Sequence, residues 1–121
     1  MMADNGRVLI IDGDESACTE CRRTLELGGF RVASADSAEQ ALERIQQESF
    51  DVALLDASMA GLPAMEALKR MKQASPNTAI IITSPNPTIS SAVESMRLGA
   101  HDYLPKPFAP DALVRLVERA A

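Results

Sequence analysis

Three short apolar runs, Val8-Leu9-Ile10-Ile11, Val52-Ala53-Leu54-Leu55 and Ile80-Ile81-Ile82, contain no polar alternation. A strand that is apolar on both faces has to be covered on both faces, as in parallel sheets clothed by helices. Between the runs the apolar pattern changes to 3.6-residue stripes. These are Cys18/Cys21/Leu25, Ala38/Ala41/Leu42/Ile45, Met65/Leu68/Met71, Ile89/Val93/Met96 and Leu113/Leu116/Val117/Ala120. Such alternation predicts βα units joined by helical crossovers. Strands are expected near residues 7–12, 30–34, 51–56, 78–83 and 101–105.

The run Phe30-Arg31-Val32-Ala33-Ser34 does alternate, and the segment at 101–105 is the most polar of the five, so these two suit the edges. Right-handed crossovers then give an α/β fold: a doubly wound, five-stranded parallel sheet of order 2-1-3-4-5, the flavodoxin-like arrangement. Local signals agree. Ser37 and Gln40 form a capping box before the second helix. Gly28-Gly29 and Gly99 are expected as left-handed residues ending the first and fourth helices. Pro110 suits the first turn of the last helix, where its missing N–H costs nothing. The helical stripes are expected to face the sheet, with Cys18 and Cys21 reduced and mostly buried.

A chain of 121 residues is long enough for one core, and residues 1–121 are expected to form a single domain with its body from about residue 7. The net charge of -5 gives no electrostatic reason to bind nucleic acid or an anionic membrane. Met1-Met2-Ala3-Asp4-Asn5-Gly6 has neither a basic nor an apolar leader region, and no apolar stretch reaches membrane-span length. A cytoplasmic domain is expected. The sequence ends inside its last helix, at Glu118-Arg119-Ala120-Ala121, as either a stand-alone module or a part of a longer protein would. Cys18-x-x-Cys21 reads as a helical core stripe, since a zinc site would want two further ligands and His101 is the sole histidine.

An open parallel sheet places its chemistry outside the carboxyl ends of its strands. Asp12, Asp56 and Thr83 stand where the three apolar runs stop, and Lys106 lies just beyond the fifth strand. Two carboxylates, a hydroxyl and an ammonium brought together describe a site for an anion and a hard cation. Each also has a plainer use: capping for the acids, strand-ending for Thr83, solvation for Lys106.

Four segments in order give that convergence a family likeness. Val8-Leu9-Ile10-Ile11-Asp12, Leu54-Leu55-Asp56-Ala57-Ser58-Met59-Ala60-Gly61, Ile82-Thr83-Ser84 and Gly99-Ala100-His101-Asp102-Tyr103-Leu104-Pro105-Lys106-Pro107-Phe108 resemble the receiver domain of bacterial two-component response regulators. The last segment is most similar to receivers of the sigma-54-activator kind. The resemblance implies a signalling switch rather than an enzyme. Asp56 would accept a phosphoryl group from a sensor histidine kinase, Lys106 would pair with phosphoryl oxygens and Thr83 would donate its hydroxyl. Mg²⁺ would be held by Asp12, Asp56 and the backbone carbonyl of Ser58. Tyr103 would be the switch aromatic and Lys106-Pro107 a cis peptide. A partner protein or output domain would meet the face of the fourth helix, fifth strand and fifth helix.

The sequence departs from that pattern in one important place. Receivers usually carry two adjacent acids after the first strand, and here the second position is Gly13. A weakened Mg²⁺ site is expected, unless Asp14 swings in to replace the lost carboxylate. Ala60 replaces a usual proline before Gly61, and Pro85 and Pro87 stiffen the loop toward the fourth helix. The rival within the fold is a pseudo-receiver, an interaction module independent of phosphorylation. A flavin binder lacks a phosphate loop and a tryptophan, and a small hydrolase on Asp12-Gly13-Asp14 lacks a cap over its site.

Overall fold

The structure, a computed structural model, describes residues 5–121. Five strands alternate with five helices: β1 (Arg7–Ile11), α1 (Glu15–Leu27), β2 (Arg31–Ala35), α2 (Ala38–Gln47), β3 (Val52–Asp56), α3 (Ala64–Ala74), β4 (Ala79–Ser84), α4 (Ile89–Arg97), β5 (Asp102–Pro105) and α5 (Pro110–Ala120). The sheet is parallel throughout and its order is β2-β1-β3-β4-β5, as expected from the apolar runs. The leader expectation falls largely on Met1–Asp4, which lie outside the described residues. Among the described residues, no helix is long and apolar enough to cross a membrane.

The period-2 pleat of the central strands divides the core in two. Leu9, Ile11, Ala53, Leu55, Ile80 and Ile82 face Ala38, Ala41 and Ile45 of α2 and Ala67, Leu68 and Met71 of α3. Val8, Ile10, Val52, Leu54 and Ile81 face the other way, onto Leu25 of α1 and Leu113 and Val117 of α5. Each fully buried aliphatic side chain contributes about 1.5–3 kcal/mol, so this double layer is what holds the strand ends in register.

Three expectations need correction. The Ile89/Val93/Met96 stripe of α4 does not face the sheet: these side chains are 85%, 52% and 48% exposed, and the helix buries only Ser95. Periodicity reports that a helix has an apolar side, not that its own domain covers it. Cys18 and Cys21 are free thiols, mostly covered at the margin of the α1/α5 layer, as expected. Of the Gly28-Gly29 pair only Gly29 is left-handed, at φ +90°; Gly28 is at −83°. The Ser37 cap is one-sided: Ser37 accepts from the Gln40 N–H, but the Gln40 carbonyl accepts from the Asp36 N–H instead of from Ser37. Gly99, at φ +106°, and Pro110, in the first turn of α5, are as expected.

Candidate functional site at the carboxyl ends of the strands

The central strands deliver three of the expected residues side by side. Asp12 follows β1 directly, its N–H still donating to the Ala35 carbonyl of β2 at 3.2 Å. Asp56 ends β3 and stands opposite Thr83 in the β3–β4 register. Lys106 follows β5, and its N–H donates to the Ser84 carbonyl at 2.7 Å. The Lys106-Pro107 peptide bond is cis.

The ammonium of Lys106 lies between the two acids. Its Nζ is 2.9 Å from Asp12 Oδ2 and 3.7 Å from Asp56 Oδ2. Both aspartates are buried, at 8% and 6% exposure, so neither charge is well served by water. Burial by itself would lower the Lys106 pKa. The hydrogen bond it donates to Asp12 and the charges of Asp12 and Asp56 outweigh it and hold the ammonium above the usual lysine range. Lys106 therefore stays charged at any physiological pH.

The second oxygen of each acid is engaged locally. Asp12 Oδ1 accepts from the Asp14 N–H at 2.9 Å, while Asp56 Oδ1 accepts from both the N–H and the hydroxyl of Ser58, at 3.0 and 2.9 Å. The side chain of Asp14 is committed elsewhere. It caps α1, accepting from the N–H groups of Ser16 and Ala17, so it does not swing into the site. A Cβ placed on Gly13 would meet nothing within 4 Å, so the space for the missing carboxylate is open.

A groove of about 1060 Å³ runs from Lys106, Pro107 and Phe108 across to Cys21 and Thr24 of α1 and Leu113 of α5. In its wall, burial and then the charge of Asp12 push the Cys21 thiol up to about 11, which leaves it protonated and a poor nucleophile near neutral pH.

The family model described as "Response regulator receiver domain" matches residues 8–118, nearly the whole chain. The chain belongs to that family. Among curated proteins, this receiver is 37% identical over 120 residues to the transcriptional regulatory protein ZraR of Escherichia coli K12, covering 99% of this chain and 27% of that protein. It is also 36% identical over 115 residues to the DNA-binding transcriptional regulator NtrC of the same organism, covering 95% of this chain and 24% of that protein. These relatives agree with the likeness to sigma-54-activator receivers. The receiver spans about a quarter of their length. Among solved structures, a CheY-like response regulator receiver domain protein from Methanospirillum hungatei superposes with a TM-score of 0.89 at 27% identity, covering 93% of this chain and 90% of that one. Receivers are phospho-switches of two-component systems that work with sensor kinases and output domains, and they bind Mg²⁺ at the phosphorylation site.

The donors of this receiver suit Mg²⁺ in kind: hard carboxylate oxygens with room left for waters, which octahedral Mg²⁺ readily keeps. They are few. Among the described residues, no group of three or more His, Cys, Asp or Glu side chains is placed to hold a metal ion. Ser58 is exposed and its hydroxyl is turned onto Asp56, a contact that the sequence reading missed although Asp-x-Ser is a common side-chain turn. Tyr103 is half-buried on the edge strand, and its hydroxyl is 2.8 Å from that of Ser91 in α4. No signal in the sequence pointed to Ser91.

Proposed function

We propose that this chain is a phospho-receiver whose Asp56 accepts a phosphoryl group from the phosphohistidine of a sensor histidine kinase. The observation that carries the reading is the Lys106 ammonium held between the two buried acids at the strand ends. An Asp56 carboxylate oxygen forms the new O–P bond as the N–P bond of the phosphohistidine breaks, and the imidazole leaves with the bonding electron pair. Such transfer asks a protein mainly for positioning and charge compensation.

The product carries up to about two negative charges beside Asp12, one more than the carboxylate it replaces. Two unit charges 4 Å apart repel by roughly 4 kcal/mol at an effective dielectric of 20, so the ammonium of Lys106 is needed there. Thr83, level with Asp56 across the β3–β4 ladder, donates its hydroxyl to the phosphoryl group, and Tyr103 responds to its movement. Mg²⁺ would be held by Asp56, by Asp12 through water and by the Ser58 carbonyl, and it supplies further neutralisation when bound. Gly13 offers it no side chain, so binding is weak.

The residues 1–121 act as one receiver domain in the cytoplasm, and the domain itself does not bind nucleic acid. The face of α4, β5 and α5 meets an output domain or partner protein, a reading supported by the exposure of Ile89, Val93 and Met96. The intact set of Asp56, Thr83 and Lys106 supports this reading over a phosphorylation-independent pseudo-receiver.

Incubation with acetyl phosphate, with and without Mg²⁺, followed by intact mass measurement tests the assignment. One phosphoryl adduct that depends on Mg²⁺ and disappears in Asp56→Asn is expected. No adduct at any Mg²⁺ concentration, or one that survives in Asp56→Asn, rejects it.

A further inference from the structure

Helix α4 is attached to the domain differently from its neighbours. It buries no apolar residue of its own, and its one fully covered side chain is Ser95. Among the described residues, two side-chain polar contacts leave it for other elements. The Ser95 hydroxyl, which donates to the Ser91 carbonyl at 2.7 Å, lies 3.6 Å from the weakly accepting Met65 sulfur, and Ser91 meets the hydroxyl of Tyr103 at 2.8 Å.

The hydroxyl of Ser91 has more neighbours than it can serve. Around its Oγ lie the Thr88 carbonyl at 3.1 Å, the Thr88 hydroxyl at 2.9 Å, the Thr88 N–H at 3.3 Å and the Tyr103 hydroxyl. A serine hydroxyl donates once and accepts twice. The Thr88 carbonyl already accepts from the Ala92 N–H at 3.0 Å, so the Ser91 proton can go either to it or to the Tyr103 oxygen. In the first case Tyr103 donates and competes with Thr88 for the two lone pairs of Ser91; in the second it accepts from Ser91. The cap of α4 is complete without Tyr103, whereas Tyr103 depends on Ser91.

Tyr103 is also next to the site in the sheet: it pairs with Ile82, the residue before Thr83. The other route from Thr83 to α4 is the chain itself, and that route is stiffened by Pro85 and Pro87 just before the cap at Thr88.

We propose that Ser91 is a positioning residue of the switch, its hydroxyl tying Tyr103 to the first turn of α4 in the unphosphorylated domain. The proposal rests on Tyr103 being the residue that responds to phosphorylation. A tie present in one state and absent in the other biases the equilibrium by its own strength, which for one hydrogen bond is roughly threefold to tenfold.

Tyr103 is the single tyrosine and there is no tryptophan, so intrinsic emission of the whole chain reports on this residue alone. Beryllofluoride, a phosphoryl mimic, is titrated at fixed excess Mg²⁺ while that emission is followed. Ser91→Ala is expected to reach half-saturation at roughly threefold to tenfold lower beryllofluoride, its starting emission already moved toward the saturated wild type. Ser91→Thr keeps a hydroxyl and should follow the wild type. Thr88→Ala weakens the cap but leaves the Ser91–Tyr103 pair, so it should leave the midpoint near that of the wild type. A Ser91→Ala midpoint equal to that of a responsive wild type overturns the tie alone, and equal shifts in Ser91→Ala and Thr88→Ala reduce it to capping and overturn it too. If acetyl phosphate modifies Asp56 but wild-type emission never moves with beryllofluoride, the switch role of Tyr103 falls, and the tie with it.

Discussion

Helices α4 and α5 flank the same edge strand, and β5 sends alternate side chains to them: Tyr103 toward α4 and Leu104 toward α5. Both helices carry an amphipathic stripe. That of α5 is buried through Leu113 and Val117, whereas that of α4 is turned to solvent through Ile89, Val93 and Met96. One helix is held by hydrophobic burial, the other by a buried serine, a hydroxyl pair and its backbone connections. The difference separates a helix that builds the domain from one that can move without unmaking it.

Breaking the comparison most forcefully means emptying the buried side. Leu113→Ala should lower the unfolding free energy by about 2–5 kcal/mol in urea denaturation, the cost of a large-to-small change in a packed core. If it is instead as mild as a change on α4, the two helices are not anchored differently.

Cys21, on the wall that α1 shares with α5, tests how dry that wall is. With its thiol pushed up to about 11, alkylation by iodoacetamide at neutral pH should run at least about tenfold slower than for a free cysteine. It should climb steeply only as the pH approaches that value. The same shift has a sign for stability. Cys21 and Lys106 both have folded pKa values raised above their ordinary ones, so their contributions are fully present below the unfolded pKa values. They are lost as pH rises through the folded values, and urea midpoints should fall in alkali from about pH 9 upward.

The strand ends can be sharpened rather than broken. Gly13→Asp places a carboxylate in open space at a residue that is not left-handed, so the fold should be unaffected. Mg²⁺ affinity by calorimetry should rise about tenfold or more, equivalent to about 1.4 kcal/mol. An unchanged affinity would mean that the missing side chain does not limit the site. The smallest effect belongs to α4: Val93→Ser should alter the unfolding free energy by no more than about 0.5 kcal/mol, because its side chain has little cover to lose.

The sheet order was legible because Val8–Ile11, Val52–Leu55 and Ile80–Ile82 are apolar on both faces, and only central strands between two helical layers satisfy that. The convergence of Asp12, Asp56, Thr83 and Lys106 followed from the order alone, since each stands at or just beyond the end of its strand. What remained hidden depended on competition between partners. Asp14 had two possible uses, and the open N–H groups of Ser16 and Ala17 claimed it at a distance of two and three residues, which no pattern of hydrophobicity records. The α4 stripe was misplaced for a related reason: an apolar side specifies what it needs, and its neighbours in space decide whether they supply it. Ser91 was invisible because its importance lies in a residue twelve positions away.

The unequal distances from Lys106 have a further consequence. Its short contact is with Asp12, the acid that is not modified on the receiver reading, and its longer one is with Asp56. The added charge of a phosphoryl group on Asp56 thus meets one cation already in place, leaving less for Mg²⁺ to neutralise. When that charge is lost, the cation has a fixed berth to return to. On that reading the Asp12 contact defines the resting position of the ammonium, whichever way the phosphoryl group leaves.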